Sequence, residues 1–361
     1  MALLREGGTR LYLPPTTVQH GPARRAPVFY NPGMAVDRDL EVALGLAWKA
    51  EGRRLRRVWE MTAATGVRGL RFLNETGLPA EMVLTESHPL AFPVLERNAQ
   101  EYSEKGARAV RHDAAQPLEV GAFDLVDLDP YGSPAPFLTA ALDALVPGGI
   151  LAVTATDLRV LAGVEPGAAE RRYGSVPLRG RLGPEGGLRI LLAWLEAEMR
   201  KRGNAAEPLL AYVRDHHVRA YVRSVRAAGR PSPVGLLDPS TWSGPPLRAS
   251  GPVGPLWLGP LLNPPTLEAM TTPPRAAHPR AVARLLERLQ GELVADRPFY
   301  YESNTLAEDL RLDRPPAVEP LLKLLRAGGY TAARTHAREG GFRTTAPRAR
   351  VEAAARALAR P

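Results

Sequence analysis

Leu209-Leu-Ala-Tyr-Val-Arg214, the break Asp215-His216-His217, and Val218-Arg-Ala-Tyr-Val-Arg-Ser-Val225 form the stretch on which the fold turns. Two runs rich in Val and Tyr, so close together, predict an antiparallel hairpin. On the N-terminal side Gly203-Asn204 closes a helix whose apolar stripe is Leu188, Leu191, Leu192, Leu195 and Met199, spaced as one helical face. Further back, from about Arg54 to Arg202, short apolar runs alternate with helix-length amphipathic segments, the pattern of parallel strands joined by crossover helices. The predicted strands are Arg57–Met61, Met82–Thr85, Ala107–Arg111, Phe123–Leu128 and Ile150–Thr154, each brief and apolar as strands buried on both faces are. Between them Leu90, Val94, Leu95 and Asn98 keep helical spacing, and Pro134 stands where it opens a helix running to Val146.

Five parallel strands followed by an antiparallel pair resemble the class I methyltransferases that use S-adenosylmethionine, an α/β fold with a Rossmann-like sheet, rather than the dinucleotide dehydrogenases. On the C-terminal side, 13 prolines between Pro231 and Pro279 exclude interior helix and central strand, so this segment reads as a loop-rich join. Beyond it Arg280–Leu293, Tyr300–Leu312 and Pro316–Ala327 read as helices, and Gly329–Thr345 as a hairpin around Glu339-Gly340-Gly341. Helices followed by a basic hairpin resemble a winged-helix arrangement. The expected organisation is a catalytic domain with an N-terminal extension over 1–230, the Pro-rich join over 231–279, and a smaller basic α+β domain over 280–361.

The composition narrows the chemistry. With 361 residues, of which 45% are apolar, the chain builds more than one hydrophobic core, and disorder throughout is excluded. Zero cysteines exclude disulfides, thiolate metal sites and cysteine nucleophiles. No apolar run approaches the roughly 20 residues that span a bilayer, and the opening Met1–Glu6 breaks off too soon for a signal peptide, so a soluble cytoplasmic protein is expected. Basic residues exceed acidic ones by 47 to 38, and only four of the basic residues are lysines. Arginine suits phosphate and base-edge contacts, and the excess gathers towards the C-terminus, where Thr331–Pro361 holds 7 basic and 2 acidic residues. Biased base composition in the coding DNA gives the same arginine usage, so charge alone leaves nucleic acid binding open.

Thr62-Ala63-Ala64-Thr65-Gly66-Val67-Arg68-Gly69 follows a predicted strand and precedes a helix. Small residues there let a ligand approach the backbone at Gly66, and the helix start supplies N–H groups without intrahelical partners. Glu86 ends the second strand, where an acid accepts the two ribose hydroxyls of a nucleoside cofactor. At the end of the third, Asp113-Ala114 is placed to hold an adenine amino group. The fourth strand ends in Asp127-Leu128-Asp129-Pro130-Tyr131-Gly132-Ser133-Pro134, which resembles the D/N-P-P-Y/F motif of methyltransferases acting on exocyclic amines. An arylamine lone pair is delocalised into its ring. A carboxylate on Asp129 accepting its N–H bonds favours the geometry that exposes the lone pair, Pro130 fixes that carboxylate, and Tyr131 offers a face for base stacking. Phe29 or Tyr30 supplies a second wall, and Arg38 is placed to meet a cofactor carboxylate, although packing and a helix-start salt link explain these three equally well. His216 and His217 are adjacent in a strand and point to opposite faces, which excludes a shared metal ion.

Read together with Thr154-Ala155-Thr156-Asp157, Arg172-Tyr173-Gly174-Ser175, Leu188-Arg189-Ile190-Leu191, Asp215-His216, Val218-Arg219, Gly259-Pro260-Leu261, Gly329-Tyr330 and Arg334-Thr335-His336, these motifs resemble the family of tRNA guanine N2 dimethyltransferases that modify position 26. The resemblance spans roughly residues 28 to 346. It implies S-adenosylmethionine as cofactor, contacts to it from Arg38, Arg68, Glu86, Asp113 and Ala114, a catalytic Asp129, and base stacking by Phe29 and Tyr131. It also implies tRNA as the partner, gripped by the basic C-terminal domain, with no obligate protein partner evident. Two departures stand out: Asp37 and Glu86 stand where family members commonly have Asn and Asp. Many members also carry Cys-x-x-Cys zinc ligands in the region matching 231–279, so no zinc is expected here. Two alternatives remain, an amino-methyltransferase acting on ribosomal RNA or DNA, and a non-catalytic tRNA-binding protein.

Overall fold

The computed structural model describes residues 1–14 and 28–359. A short hairpin, β1 (Ala2–Glu6) and β2 (Thr9–Leu13), precedes α1 (Ala35–Ala50). The alternating region then follows as β3 (Leu55–Glu60), α2 (Val67–Thr76), β4 (Pro79–Glu86), α3 (Phe92–Gln100), β5 (Ala107–Arg111), β6 (Phe123–Leu128), α4 (Leu138–Ala144) and β7 (Leu145–Ala155). Next come α5 (Leu158–Leu161), α6 (Pro166–Tyr173), α7 (Gly183–Arg200), β8 (Asn204–Arg214) and β9 (His217–Arg226). The remainder is β10 (Val234–Leu237), β11 (Val253–Trp257), α8 (Pro264–Ala269), α9 (Pro279–Glu292), β12 (Tyr301–Glu302), α10 (Ser303–Leu310), α11 (Val318–Ala327), β13 (Ala332–Arg334), β14 (Gly341–Thr344) and α12 (Arg348–Ala359).

Seven strands form one sheet in the order β5-β4-β3-β6-β7-β9-β8. The pairs β3/β4, β4/β5, β3/β6 and β6/β7 are parallel. The adjacent β8 and β9 are joined only through Asp215 and His216, too short for a crossover, so they run in opposite directions. This is the class I methyltransferase sheet. The chain enters at β3, builds outward to β5, then returns to place β6 on the other side of β3. Order reverses between β3 and β6, and at such a point the crevice beyond the strand ends takes ligands.

The described chain gathers into two compact units that interleave along the sequence, where the sequence reading divides it at 230 and 280. One comprises Met1–Thr154, Tyr221–Val225 and Pro265–Leu286; the other comprises Ala155–Ala220, Arg226–Pro264 and Glu287–Pro361. The first is centred on Leu40, Leu44 and Trp48 of α1 with Val58, Trp59, Leu70, Phe72, Val83, Leu84, Leu125, Val126 and Leu151, all buried. Helix α1 is buried nearly all round, its charged opening turns included. These charges are met by ion pairs, Arg38 with Glu6, Arg71 with Asp39 and Arg68 with Glu41. A helix of this sequence left on a surface would bury one stripe only.

In the second unit Glu185 of α7 and Arg343 of β14 form a two-pronged pair at 3.1 Å on both prongs. Arg343 Nε also donates to Glu292 Oε2 at 2.7 Å, and Arg189 Nε donates to Glu185 Oε1 at 2.8 Å. Arg343, Glu185 and Arg189 are each 1% exposed or less. Burial opposes the ionised form of Glu185, but Arg343 and Arg189 hold its pKa below the ordinary value. The C-terminal segment adds an apolar cluster of Leu306, Leu310, Leu321, Leu322, Leu325, Phe342 and Val351 beneath the three-stranded sheet β12-β14-β13.

Several sequence expectations are corrected. The Pro-rich join holds a two-stranded antiparallel sheet, β10 with β11; both are edge strands, with one side unpaired, where Pro255 is tolerated. The helix expected from Tyr300 begins at Ser303, because Tyr301 and Glu302 pair with Phe342 and Gly341. The helix expected to reach Val146 ends at Ala144, and β7 starts directly at Leu145. Leu90 lies outside α3 and is 61% exposed.

Candidate active site

β3 ends at Glu60, and the loop behind it turns sharply into α2. Ala64 and Gly66 take positive φ, 49° and 76°, a region that glycine enters without strain. A Cβ on Gly66 would lie 2.8 Å from Leu95 Cδ1, and one on Gly69 would lie 2.6 Å from both Glu60 Oε2 and Leu84 Cδ2. Glycine at both positions therefore lets α2 settle against the ends of β3 and β4. The Gly69 N–H donates to Glu60 Oε2 at 3.0 Å. Burial, then the neighbouring charge of Asp127, raise the Glu60 pKa well above the ordinary carboxylate value.

The neighbouring strand ends present the other predicted groups. Glu86 closes β4, half-buried, with Oε2 accepting from Ala64 N at 3.1 Å and Oε1 from His88 N at 2.8 Å. A carboxylate offers about four acceptor positions, so each oxygen keeps one for an outside donor, as a pair of ribose hydroxyls requires. Past β5, Asp113 is exposed and its Oδ1 accepts from Ala115 N at 3.0 Å, while Ala114 is buried.

At the end of β6 two acids two residues apart differ in burial, because the strand stops between them at Leu128. Asp127, paired in register with Glu60, faces inward and is buried. Asp129 emerges beyond the strand with its side chain 16% exposed, and its Oδ2 accepts from Arg68 Nη2 at 2.6 Å. The other edge of Arg68 donates through Nη1 to Glu41 Oε2 at 2.7 Å. Pro130 is buried, Tyr131 is 67% exposed and Phe29 is 38% exposed. Gly132, at φ 89°, turns the chain away, and Ser133 Oγ accepts from Ala135 N at 3.2 Å.

Arg38 is turned onto Glu6: Nε reaches Oε1 at 2.7 Å and Nη2 reaches Oε2 at 2.6 Å, with Nη2 also donating to the Asn31 carbonyl at 3.0 Å. Its Nη1 makes no hydrogen bond among the described residues. Tyr30 is buried, with its hydroxyl donating to Glu6 at 2.8 Å. Of the two aromatics proposed as a second stacking wall, only Phe29 keeps an exposed face.

Two buried hydroxyl oxygens in the Gly66 loop, Thr62 Oγ1 and Thr65 Oγ1, have no hydrogen-bond partner. Leaving a buried polar atom unsatisfied costs roughly 1–3 kcal/mol, and a polar ligand seated on the loop would relieve that. Together with the open acceptor positions of Glu86 and the strained turn at Ala64, these orphaned atoms fit a nucleoside cofactor with a charged amino-acid arm. Beneath the loop Glu41, Glu60, Arg68 and Asp127 line a cavity of about 10 Å³, room for about one water. Asp129 and Tyr131 lie outside this cavity, on the more exposed side. A larger cleft of about 240 Å³ in the second unit is lined by Arg181, Tyr300, Tyr301 and Glu302, and none of the predicted site residues lines it. Among the described residues no group of His, Asp and Glu is arranged to hold a metal ion, and no helix is long and apolar enough to cross a membrane.

Glu6, Glu41, Glu60 and the two threonine hydroxyls were not predicted as site residues. Glu60 carried a usable signal, an acid closing an apolar strand just before a small-residue loop. Glu6 and Glu41 carried none, because their partners lie 32 and 27 residues away.

The model of the family described as N2,N2-dimethylguanosine tRNA methyltransferase matches residues 14–234 and 248–356. A curated relative from Thermococcus kodakarensis, named tRNA (guanine(26)-N(2))-dimethyltransferase, is 35% identical, with 96% of both chains covered. One of the same name from Methanosarcina acetivorans is 33% identical over 98% of both. Among solved structures, the complex of Trm1 from Pyrococcus horikoshii with S-adenosyl-L-methionine superposes with a TM-score of 0.85 at 30% identity, covering 100% of both chains.

Proposed function

The chain belongs to the N2,N2-dimethylguanosine tRNA methyltransferase family, and from that membership we propose that it methylates the exocyclic N2 amine of guanine 26 in cytoplasmic tRNA, once and then again. The single observation that carries the assignment to this site is the end of β6, where Asp129, held at 2.6 Å by Arg68, stands beside an exposed Tyr131 and a cofactor-shaped loop.

S-adenosylmethionine, when bound, supplies a methyl group on a positively charged sulfur, which is already activated for displacement. The protein's own part is then alignment and exclusion of water. Glu86 accepts the ribose hydroxyls, Asp113 and Ala114 face the adenine, the Gly66 loop gives close backbone approach, and Arg38 Nη1 meets the carboxylate. A guanine must leave its stack to reach the site, and Tyr131 and Phe29 offer the faces that replace lost stacking. Asp129 accepts the N2 hydrogens, draws the lone pair out of conjugation with the ring, and is the base placed to receive the proton that N2 releases. Buried Pro130 limits the swing of that carboxylate. The basic segment from residue 280 onward is assigned to grip the tRNA body through phosphates.

The test is transfer of labelled methyl from S-adenosylmethionine to unmodified tRNA, ribosomal RNA and DNA, followed by nucleoside mass spectrometry. N2-methyl- and N2,N2-dimethylguanosine in tRNA alone, abolished by Asp129→Asn with cofactor binding intact, is the expected result. Normal labelling by the Asp129 variant would remove the assigned role.

A further inference from the structure

We infer that Glu41 is a positioning residue for Asp129, acting through Arg68. The inference rests on the proposed function, in which Asp129 receives the target amine.

The guanidinium of Arg68 is buried and joins two carboxylates from different elements: Nη1 to Glu41 of α1 at 2.7 Å and Nη2 to Asp129 at 2.6 Å. A guanidinium is planar, with its donors in a fixed fork, so pinning one edge sets the direction of the other. A lysine in its place would carry the charge but could not transmit a direction. The two anchors differ in kind. Glu41 is 3% exposed, inside a helix buried nearly all round, while Asp129 stands on a turn with its side chain 16% exposed. The more buried anchor therefore sets the direction in which the guanidinium meets the more exposed one.

The other end of Arg68 is equally constrained. It lies in the first turn of α2, between the left-handed Gly66 and Gly69, whose N–H is bound by Glu60 at 3.0 Å. With the backbone and one edge of Arg68 fixed, its Nη2 contact restricts rotation of the Asp129 carboxylate about its side-chain bonds. Catalysis by alignment is sensitive to this kind of restriction, since a misplacement of about 1 Å costs on the order of a hundredfold in rate. Glu41 is placed to touch neither substrate nor cofactor; its effect is confined to the chemical step.

The experiment compares Glu41→Gln, Asp129→Asn and the double variant with the unaltered full chain. It measures thermal unfolding, the Kd of S-adenosylmethionine by calorimetry, KM for an unmodified tRNA transcript, and the single-turnover rate of methyl transfer. Glu41→Gln keeps shape and removes charge. The expected result is a rate reduced roughly ten- to a hundredfold, with Kd and KM within about threefold. In the Asp129→Asn background the Glu41 change should have no further effect, since residues acting through one group are not additive. Arg68→Lys is the second variant, should Glu41→Gln fold poorly, and should give the same fall in rate. If Asp129→Asn transfers normally, the reading of Asp129 falls and takes this inference with it. If Asp129→Asn is impaired while Glu41→Gln and Arg68→Lys turn over normally, or if the double variant shows additive losses, the positioning role alone is overturned.

Discussion

Glu6 gives the sharpest quantitative prediction. Its carboxylate is buried at the end of β1 and accepts four hydrogen bonds: from Arg38 Nε at 2.7 Å, Arg38 Nη2 at 2.6 Å, Arg71 Nη1 at 2.9 Å and the Tyr30 hydroxyl at 2.8 Å. These occupy all its acceptor positions. Burial by itself raises the pKa, but the bonds and charge of Arg38, the charge of Arg71 and the Tyr30 hydroxyl outweigh it and bring the value from 4.5 to about 2. A tenfold change in an acid dissociation constant corresponds to about 1.4 kcal/mol, so the ionised carboxylate contributes about 3 kcal/mol to stability. Because the folded value is the depressed one, this contribution is complete above the unfolded pKa of 4.5 and is lost as pH falls through about 2. Glu6→Gln should therefore cost about 3 kcal/mol or somewhat more at pH 7, since two buried guanidinium groups lose a counter-charge. The cost should hold down to about pH 5 and shrink below it, because the unaltered chain then loses the same charge. Urea unfolding of both proteins at pH 7, 5 and 3 measures the difference. A difference that stays constant across that range would refute the reasoning, since it would mean that Glu6 gains no stability from being ionised.

Glu185→Gln removes one partner of a fully buried ion pair and should lower stability by about 3–5 kcal/mol, read by chemical unfolding, whereas replacing Glu185 and Arg343 together by Leu and Met should cost much less. Gly66→Ala places a methyl group 2.8 Å from Leu95 Cδ1 at a φ of 76°, so calorimetry should show weakened cofactor binding together with a stability loss of about 1–2 kcal/mol. Glu86→Gln should leave stability within about 0.5 kcal/mol while weakening cofactor affinity roughly tenfold, a change of about 1.4 kcal/mol. In the second unit Val213 N–H donates to His336 Nε2 at 3.2 Å, while Nδ1 faces Glu292 at 2.8 Å. Nε2 is then the acceptor and Nδ1 the donor, and nitrogen NMR should show the proton on Nδ1; a proton on Nε2 would contradict it.

The strands were readable because a parallel sheet buried on both faces leaves uninterrupted apolar runs, as in Phe123–Leu128. Asp129-Pro130-Tyr131 was readable because nothing in a packed core calls for an acid, a proline and an exposed ring in succession. The pairing of β10 with β11 was hidden by proline content, which signals a missing N–H but not which strand side faces an edge. Tyr301 and Glu302 were assigned to a helix because the competing partner, β14, lies about 40 residues away and supplies ladder bonds that local periodicity does not register. The same limit applies to the ion pairs of α1. Asp37-Arg38-Asp39 reads as a helix-start salt link until α2 and β1 pack over it, and only tertiary structure reveals that Arg38 and Asp39 have buried counterparts in Glu6 and Arg71.

Asp39 accepts the backbone N–H groups of Ala277 at 2.9 Å and His278 at 2.8 Å, and also faces Arg71 at 2.6 Å. The segment that donates those amides returns more than two hundred residues after the acid that receives them. A polypeptide cut at residue 230 would thus keep every strand of the large sheet and every predicted site residue, yet take from Asp39 both of its amide donors. The scaffold behind the site is completed by a segment that leaves the ribosome only near the far end of the Pro-rich stretch.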